Sequence, residues 1–321
     1  MMGVRLNEQA RGVFIISVTP FRDDGALDLD GVGRLVDFYA ERGVHGLTIL
    51  GMMGEANKLT ASEAEAFALR VLAEAHDRLP VIVGVSTPSF AAMRELTSRV
   101  MDHGAAGVMV APTPGLRTDD QVFGYVETVA ETLGPEVPLV YQDYPQSTGV
   151  ALSVPVWKRM VDALPSLVML KHEDCPALAK LTRIRQGEQV GEFRRVSILI
   201  GNGALYYPEE LIRGADGAMT GFAYPEMLVE VHALMSSGKV DAALDLFDAY
   251  LPLVRYEQQP GWGLPARKEV LRRRGAIASS RARHPAPSLG AEGLAELDRL
   301  VSRVHRRLAE VAPEHARAIT A

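Results

Sequence analysis

The stretch GLTILGMMGEANKLTASEAEAFALRVLAEAHDRLPVIVGV, residues 46–85, contains one complete unit of the pattern that decides the fold. It begins with the apolar run GLTIL (46–50) and ends with a second apolar run, VIVGV (81–85). Between the runs, Thr60 followed by Glu63 has the spacing of a capping box, and apolar residues then recur at helical intervals. A strand, a helix and a second strand in this order are typical of a parallel sheet with helical crossovers.

The same unit recurs along the chain, and eight apolar runs are found in all. Eight strand–helix units, without a Gly-x-Gly-x-x-Gly turn after the first strand, predict an α/β fold of the closed (β/α)8 TIM-barrel type rather than a doubly wound sheet. The first helix is predicted from about Leu29 to Arg42. The six other runs are VFIISV (13–18), GVMVA (107–111), PLVYQ (138–142), LVMLK (167–171), VSILIG (196–201) and GADGAMTG (214–221).

The strand pattern ends near residue 225, and the rest of the chain has helical periodicity. We therefore predict a catalytic barrel in residues 1–224 and a C-terminal helical domain in residues 225–321. The proline-rich segment RARHPAPSLGAEG (281–293) is interpreted as a connector inside that domain. The basic segment RKEVLRRRG (267–275) has helical spacing, and we interpret it as a solvated or subunit-facing helix.

Composition and charge exclude several classes of protein. The 321 residues are 47% hydrophobic and 23% charged, and the net charge of -6 gives no electrostatic footprint for nucleic acid. The single cysteine, Cys175, forms no intrachain disulfide, so we expect an intracellular, cytoplasmic protein. No run reaches the length of a membrane span, and no histidine or cysteine spacing is typical of a metal site, so neither membrane nor metal is predicted.

Catalytic groups of a (β/α)8 barrel lie at the C-terminal ends of its strands, and the sixth run ends in such groups. In SLVMLKHED (166–174), Lys171 and Glu173 are two residues apart and share one face of the strand, while His172 points to the other. Lys171 is predicted to be a Schiff-base nucleophile, because an apolar interior favours the neutral amine, and Glu173 is placed to move a proton. The alternative is an ion pair that only holds structure.

The second and fifth runs end in groups with two open interpretations. In GMMGE (51–55), Gly51 allows a tight turn that presents the N–H groups of Met52 and Met53 to a substrate carboxylate, although a plain strand-to-helix turn has the same sequence. After the fifth run, Gln142 and Tyr144 share a face, so either can lie at the barrel mouth. Tyr144 is a candidate proton shuttle or an aromatic lid residue.

Small residues end the seventh and eighth runs. Gly201 lies in the segment GNG (201–203), and Thr220 begins TGFAYP (220–225). Both positions leave room for a close approach of the substrate, so we include them among the predicted substrate-binding residues.

Taken together, these strand ends resemble the dihydrodipicolinate synthase / N-acetylneuraminate lyase family of Schiff-base lyases. The resemblance extends over nearly the whole chain, in order and in spacing. It implies a barrel with C-terminal helices, an imine on Lys171, pyruvate or another 2-keto acid as substrate, no cofactor, and a homo-oligomer, either a tetramer or a dimer. The segments that carry it are SVTPFRDDGALD (17–28), GVHGLTILGMMGEANKLTASE (43–63), VMLKHED (168–174) and GADGAMTGFAYPE (214–226).

The chain departs from the family pattern at positions that affect the reaction. Met52 and Met53 stand where the family has hydroxyl residues, and Gln142 stands where it has a tyrosine on the fifth strand. Ser147 replaces the arginine that, in the synthase, would hold the second substrate's carboxylate, and residues 113–114 are not the family's tyrosine pair. These departures disfavour a dihydrodipicolinate synthase.

The lost tyrosine requires another acid–base group, and Glu173 is the first candidate, with Tyr144 second. A carboxylate beside an imine suits removal of a proton from C3 and loss of the C4 hydroxyl. We therefore predict dehydration of a 2-keto-3-deoxy sugar acid, of the 2-keto-3-deoxyarabonate type. The alternatives are a pyruvate-dependent aldolase, a condensation like that of dihydrodipicolinate synthase, and a catalytically silent protein that only binds a keto acid.

Overall fold

The protein is described by a computed structural model that covers residues 4–320, without the side chains of Ala318 and Thr320. Eight parallel strands close into a barrel in chain order, with the first beside the eighth, so the predicted (β/α)8 barrel is confirmed. The eighth strand is only two residues long, much shorter than the run that predicted it. The strands are β1 (Gly12–Ile16), β2 (Gly46–Ile49), β3 (Val81–Gly84), β4 (Gly107–Val110), β5 (Leu139–Asp143), β6 (Leu167–His172), β7 (Ser197–Ile200) and β8 (Gly217–Ala218).

Helices follow every strand, and further helices follow the last one. The first helix is shorter than predicted, because the Asp28 carboxylate accepts the Gly31 N–H at 3.1 Å in the preceding turn, and Gly43 adopts a positive φ of 70° after it. The helices are α1 (Val32–Glu41), α2 (Ala61–Ala75), α3 (Phe90–Asp102), α4 (Asp119–Leu133), α5 (Pro145–Thr148), α6 (Val154–Ala163), α7 (Ala177–Gln189), α8 (Tyr207–Ile212), α9 (Pro225–Ser236), α10 (Val240–Glu257), α11 (Gly263–Arg273), α12 (Ala291–Val311) and α13 (Pro313–Thr320).

The helix α9 belongs to the ring around the barrel. It follows β8, packs against β1 and α8, and so completes the alternation of strands and helices. It also packs against α10, the first helix beyond the ring. The division into residues 1–224 and 225–321 stays a prediction, as do the homo-oligomer and the cytoplasmic location.

Two apolar clusters stabilise the barrel. One lies between the strands and the helices, and the other fills the barrel interior. The interior cluster consists of Leu6, Phe14, Ile16, Ile82, Ala106, Met109, Val140, Val168, Met169, Leu199 and Met219.

The predicted capping box is present at the start of α2, where the Glu63 N–H donates to Thr60 Oγ1 at 3.2 Å and the Thr60 N–H to Glu63 Oε2 at 2.9 Å.

The basic segment 267–275 does form a helix, but the interpretation of its charges as solvated or subunit-facing was wrong for two residues. Arg267 is 1% exposed and Lys268 is fully buried within the chain. Arg267 Nε donates to Glu257 at 2.7 Å and Lys268 Nζ to Glu55 at 2.7 Å. Buried charges are retained where they are paired, and both partners lie outside the segment, where its own spacing gives no sign of them.

Within residues 4–320, no helix is long and apolar enough to cross a membrane. The same residues contain no group of three or more His, Cys, Asp or Glu side chains arranged to hold a metal ion.

Candidate active site

The register between β5 and β6 directs a pair of polar side chains to the barrel mouth. The register shifts near the start of β5, and beyond this irregularity Val140 lies opposite Met169 and Gln142 opposite Lys171. Val140 and Met169 pack in the barrel interior. Since side chains two apart on a strand share a face, Gln142 and Lys171 lie above them, at the C-terminal ends of the strands.

A buried carboxylate joins this pair. Glu173 Oε1 lies 2.8 Å from Lys171 Nζ, and the two side chains are only 8% and 6% exposed. Gln142 Nε2 donates to the same oxygen at 2.7 Å, and the Asn202 N–H donates to Glu173 Oε2 at 2.9 Å. Two hydrogen bonds and the ion pair with Lys171 therefore hold the carboxylate beside the amine, within the distance at which it can exchange a proton.

Glycine at position 201 makes room for this carboxylate. A Cβ built on Gly201 would lie 2.4 Å from the carboxyl carbon of Glu173 and 2.5 Å from Oε2. The prediction that Gly201 allows the substrate to approach stays a prediction, and the structure supplies a different reason for the glycine.

We expect Gly201→Ala to displace the Glu173 carboxylate from Lys171. Turnover should fall by about a hundredfold, the scale at which a small misplacement of a reacting group acts. The matched control is Gly124→Ala in α4, where an added Cβ meets nothing within 4 Å. Steady-state rates and thermal unfolding of both variants check this, and wild-type turnover in Gly201→Ala would contradict the assigned geometry.

Tyr144 lies at the start of α5, half-buried, immediately after β5. Burial raises the pKa of its phenol, and the nearby Glu173 charge raises it further. Among the residues that the structure describes, no hydrogen bond joins the phenol to Lys171 or Glu173. A protonated phenol at the mouth is suited to donate a hydrogen bond, and its role as a proton shuttle stays a prediction.

The loop after β2 has an unusual backbone. Met52–Gly54 forms a single 3₁₀ turn between Leu50 and Glu55, which both have positive φ, 54° and 56°. Met52 is 41% exposed, whereas Met53 packs against the interior cluster. The first N–H groups of such a turn have no partner within it, so the predicted binding of a carboxylate by Gly51, Met52 and Met53 rests on the backbone alone.

Thr220 ties β8 to β1. It is 4% exposed, and its carbonyl accepts the Ile16 N–H at 2.8 Å. In the described part of the chain, its side chain makes no hydrogen bond to Lys171 or Glu173, so contact with a substrate stays a prediction.

A second polar cluster lies on the outer face of β5 and β6, and the sequence did not identify it as a unit. Asp143 Oδ2 accepts a hydrogen bond from Lys180 Nζ at 2.6 Å and lies 3.5 Å from His172 Nδ1. The Asp143 carbonyl accepts the Glu173 N–H at 2.9 Å. This cluster thus fixes Asp143, whose carbonyl binds the backbone N–H of Glu173. The available signal was the alternation of polar residues on both faces at the ends of these strands.

The sequence pattern of the dihydrodipicolinate synthetase family matches residues 9–304. The chain belongs to this family. The resemblance derived from the motifs is thereby confirmed, and like other members of the dihydrodipicolinate synthetase family the protein is a lyase.

Two relatives with different activities are similar to this member of the dihydrodipicolinate synthetase family. An L-2-keto-3-deoxyarabonate dehydratase from Azospirillum brasilense is 33% identical over 292 residues, which cover 89% of this chain and 92% of the relative. A 4-hydroxy-tetrahydrodipicolinate synthase from Methanothrix thermoacetophila is 29% identical over 248 residues, which cover 76% of this chain and 81% of the relative.

Solved structures of the dihydrodipicolinate synthetase family agree with the fold. A crystal structure of a dihydrodipicolinate synthase from Rhodopseudomonas palustris is 50% identical, with a TM-score of 0.92, covering 94% of this chain and 100% of that chain. The YagE protein from Escherichia coli K12, whose crystal structure contains pyruvate, is 25% identical with a TM-score of 0.82, covering 92% of this chain and 98% of that chain.

Proposed function

We propose that this lyase dehydrates a 2-keto-3-deoxy sugar acid through an imine on Lys171. The observation that carries the proposal is the Glu173 carboxylate, 2.8 Å from Lys171 Nζ and oriented by Gln142 and Asn202. The likeness to the Azospirillum brasilense dehydratase supports it.

The proposed reaction needs one nucleophile and one group that moves a proton. The neutral Lys171 amine attacks the C2 carbonyl, water leaves, and the protonated imine then withdraws electrons from C3. Glu173 accepts the C3 proton and returns a proton to the C4 hydroxyl, which departs as water while the C3–C4 double bond forms. C5 then loses a proton while C3 regains one, which moves the double bond to C4–C5 as an enol, and this enol becomes the C5 aldehyde. Hydrolysis of the imine releases the semialdehyde and restores the amine. The net change is the loss of one water.

The proposed substrate contacts follow from the strand ends. The backbone amides of Met52 and Met53, beside Gly51, bind the substrate carboxylate, because that contact does not require the hydroxyl side chains of the family pattern. Gln142 and Tyr144 orient the substrate hydroxyls. Gly201 and Thr220 border the remaining space and complete the proposed set of substrate-binding residues.

Ser147 argues against a condensation with a second charged substrate. It is exposed and carries no charge, so it offers no counterpart to the carboxylate that an arginine would hold at this position. We therefore rank the dehydration first and the condensation last. The pyruvate-dependent aldolase comes second, because cleavage uses the same imine.

A panel of 2-keto acids tests the proposal. Each acid is incubated with the protein and borohydride, and the adduct is located by mass spectrometry of the digested chain, while products are measured without borohydride. We expect an adduct on Lys171 and a semialdehyde product formed without pyruvate.

Other outcomes of the panel would replace the proposal. Release of pyruvate would assign an aldolase, and consumption of pyruvate with an aldehyde would assign a condensing synthase. Stabilisation against heat by a keto acid without any turnover would assign a silent binding protein. The absence of an adduct with every acid would exclude the imine.

A further inference from the structure

The loop at residues 51–55 is held in a conformation that its own sequence does not favour. The residues on both sides of its 3₁₀ turn, Leu50 and Glu55, have left-handed backbones although neither is glycine. Such conformations persist only where the surrounding structure holds them. The contacts of Glu55 therefore decide whether the loop keeps its shape.

The Glu55 carboxylate is completely buried and is enclosed by donors. Oε1 accepts a hydrogen bond from Lys268 Nζ at 2.7 Å. Oε2 accepts hydrogen bonds from Lys58 Nζ at 2.9 Å and from the Arg283 N–H at 2.9 Å. Only Lys58 belongs to the same loop region, so the remaining anchors come from the C-terminal part of the chain.

These anchors are themselves fixed. Lys268, in α11, also donates to the Arg281 carbonyl at 2.7 Å and lies 4.4 Å above the ring of Phe21. Arg283 donates from Nη1 to the carbonyl of Lys58 and to Glu63, both at 2.9 Å. The segment between α11 and α12 thus closes over Glu55 and joins it to the start of α2.

The charges of this cluster do not balance. Lys58, Lys268 and Arg283 carry three positive charges, against two carboxylates, those of Glu55 and Glu63. Removing ions from water opposes the stabilising effect of their attraction, so a buried pair is weak evidence for a purely stabilising role. A net positive cluster beside backbone amides instead favours an anion at the loop.

We propose that Lys268 is a positioning residue: by holding Glu55, it fixes the backbone of residues 51–55 in the shape that binds the carboxylate of the 2-keto acid. The C-terminal helices then set the affinity for the substrate, although they contribute no group to the reaction. This inference rests on the proposed function, which assigns the carboxylate to that loop.

The test measures how much pyruvate is needed to trap the imine. In Lys268→Met, the pyruvate concentration that gives half-maximal borohydride trapping should rise at least about tenfold, the scale on which supporting residues behind a ligand site act. The maximal trapping rate should stay within about threefold of wild type, because Lys171 and Glu173 are unchanged. Glu55→Gln should act in the same direction, and it provides a second variant if Lys268→Met does not fold.

The matched control is Arg185→Met. Arg185 is also a buried cation, and its guanidinium is hydrogen-bonded to Asp216, which lies just before β8, at the opposite end of the barrel. This variant should lower the melting temperature without changing the half-maximal pyruvate concentration. The control separates loss of a buried ion pair from loss of the loop anchor.

A pH titration of the wild-type protein adds a measurement that needs no variant. Burial lowers the pKa of Lys268, Glu55 raises it, and Lys58 and Arg283 lower it, so that the pKa lies at about 8. As the pH rises through 8, Lys268 loses its proton and Glu55 loses this cation, so the half-maximal pyruvate concentration should rise. In Lys268→Arg the cation persists, so the ratio of wild type to variant isolates this residue from other titrating groups.

The free energy of unfolding should rise over the pH range in which pyruvate affinity falls. The folded-state pKa of Lys268, about 8, lies below its ordinary value of 10.5, so the contribution of Lys268 to stability increases as the pH rises from the first value to the second. If Lys268 only stabilised the fold, the protein would become more stable over this range, and its affinity for pyruvate would not fall as Lys268 loses its proton.

Two results would overturn the inference, and they are distinguishable. If Lys268→Met and Glu55→Gln lowered the melting temperature but left half-maximal trapping within about twofold of wild type, the loop would not depend on Lys268. If wild-type protein formed no adduct with any 2-keto acid, the proposed function would fail first, and this inference would fall with it.

Discussion

Lys171→Met should form no borohydride adduct with pyruvate or any 2-keto-3-deoxy acid, and its turnover should fall by at least about four orders of magnitude. Methionine has a similar length and suits the buried position, but it has no amine to attack the C2 carbonyl. Glu173 keeps its hydrogen bonds from Gln142 and Asn202 in the variant, so the site retains two of its three anchors. Intact mass after trapping, together with steady-state rates, measures the result.

The control for this variant is Lys180→Met. Lys180 is also largely buried and hydrogen-bonded to carboxylates, those of Asp143 and Asp174, but it belongs to α7, outside the barrel. Its variant should still form the adduct. An adduct of normal yield on Lys171→Met would show that another amine forms the imine.

Glu173→Gln should separate imine formation from the proton transfer that follows it. Glutamine keeps the shape of the side chain and can still hydrogen-bond to the neutral Lys171 amine, so trapping should persist. Turnover should fall by about 10²- to 10⁴-fold, the usual contribution of a general acid–base group. Single-turnover measurements, which follow trapping and product formation separately, test the prediction. Unchanged turnover would remove Glu173 from the mechanism.

Glu210→Gln is the matched control for Glu173→Gln. Burial, together with the charges of Glu209 and Glu173, raises the pKa of Glu210 to about 8. At pH 7 the Glu210 carboxyl is therefore largely protonated, and glutamine imitates that form. Turnover near pH 7 should change little, which would show that the loss in Glu173→Gln follows from the missing base.

The sequence predicted the contacts of some site residues and not of others, because some contacts join near neighbours in the chain and others join distant ones. Lys171 and Glu173 lie two apart on one strand, so local periodicity was enough to bring them to one face, where their side chains meet at 2.8 Å. Gln142 and Tyr144 share the same parity, yet only Gln142 makes a hydrogen bond to Glu173. Beyond the end of β5 the chain turns into α5, and strand periodicity no longer applies to Tyr144.

The sequence by itself determined the barrel and placed Lys171 and Glu173 on one face at the end of its sixth strand. Eight apolar runs separated by helical segments allow few other arrangements, and the hydrophobic patterns of strands and helices are local properties that can be read along the chain. The capping box at Thr60 and Glu63 is equally local, because its two hydrogen bonds join residues three apart.

Only the tertiary structure decided which groups meet across the barrel. The shifted register between β5 and β6 brings Gln142 beside Lys171, and the loop after β7 brings Asn202 and Gly201 against Glu173. Lys268 and Glu55 are 213 residues apart, and nothing in the basic segment predicts its partner. The physical reason is that the pairing of a buried charge depends on the closed three-dimensional packing, whereas hydrophobic periodicity is set by neighbours along the chain.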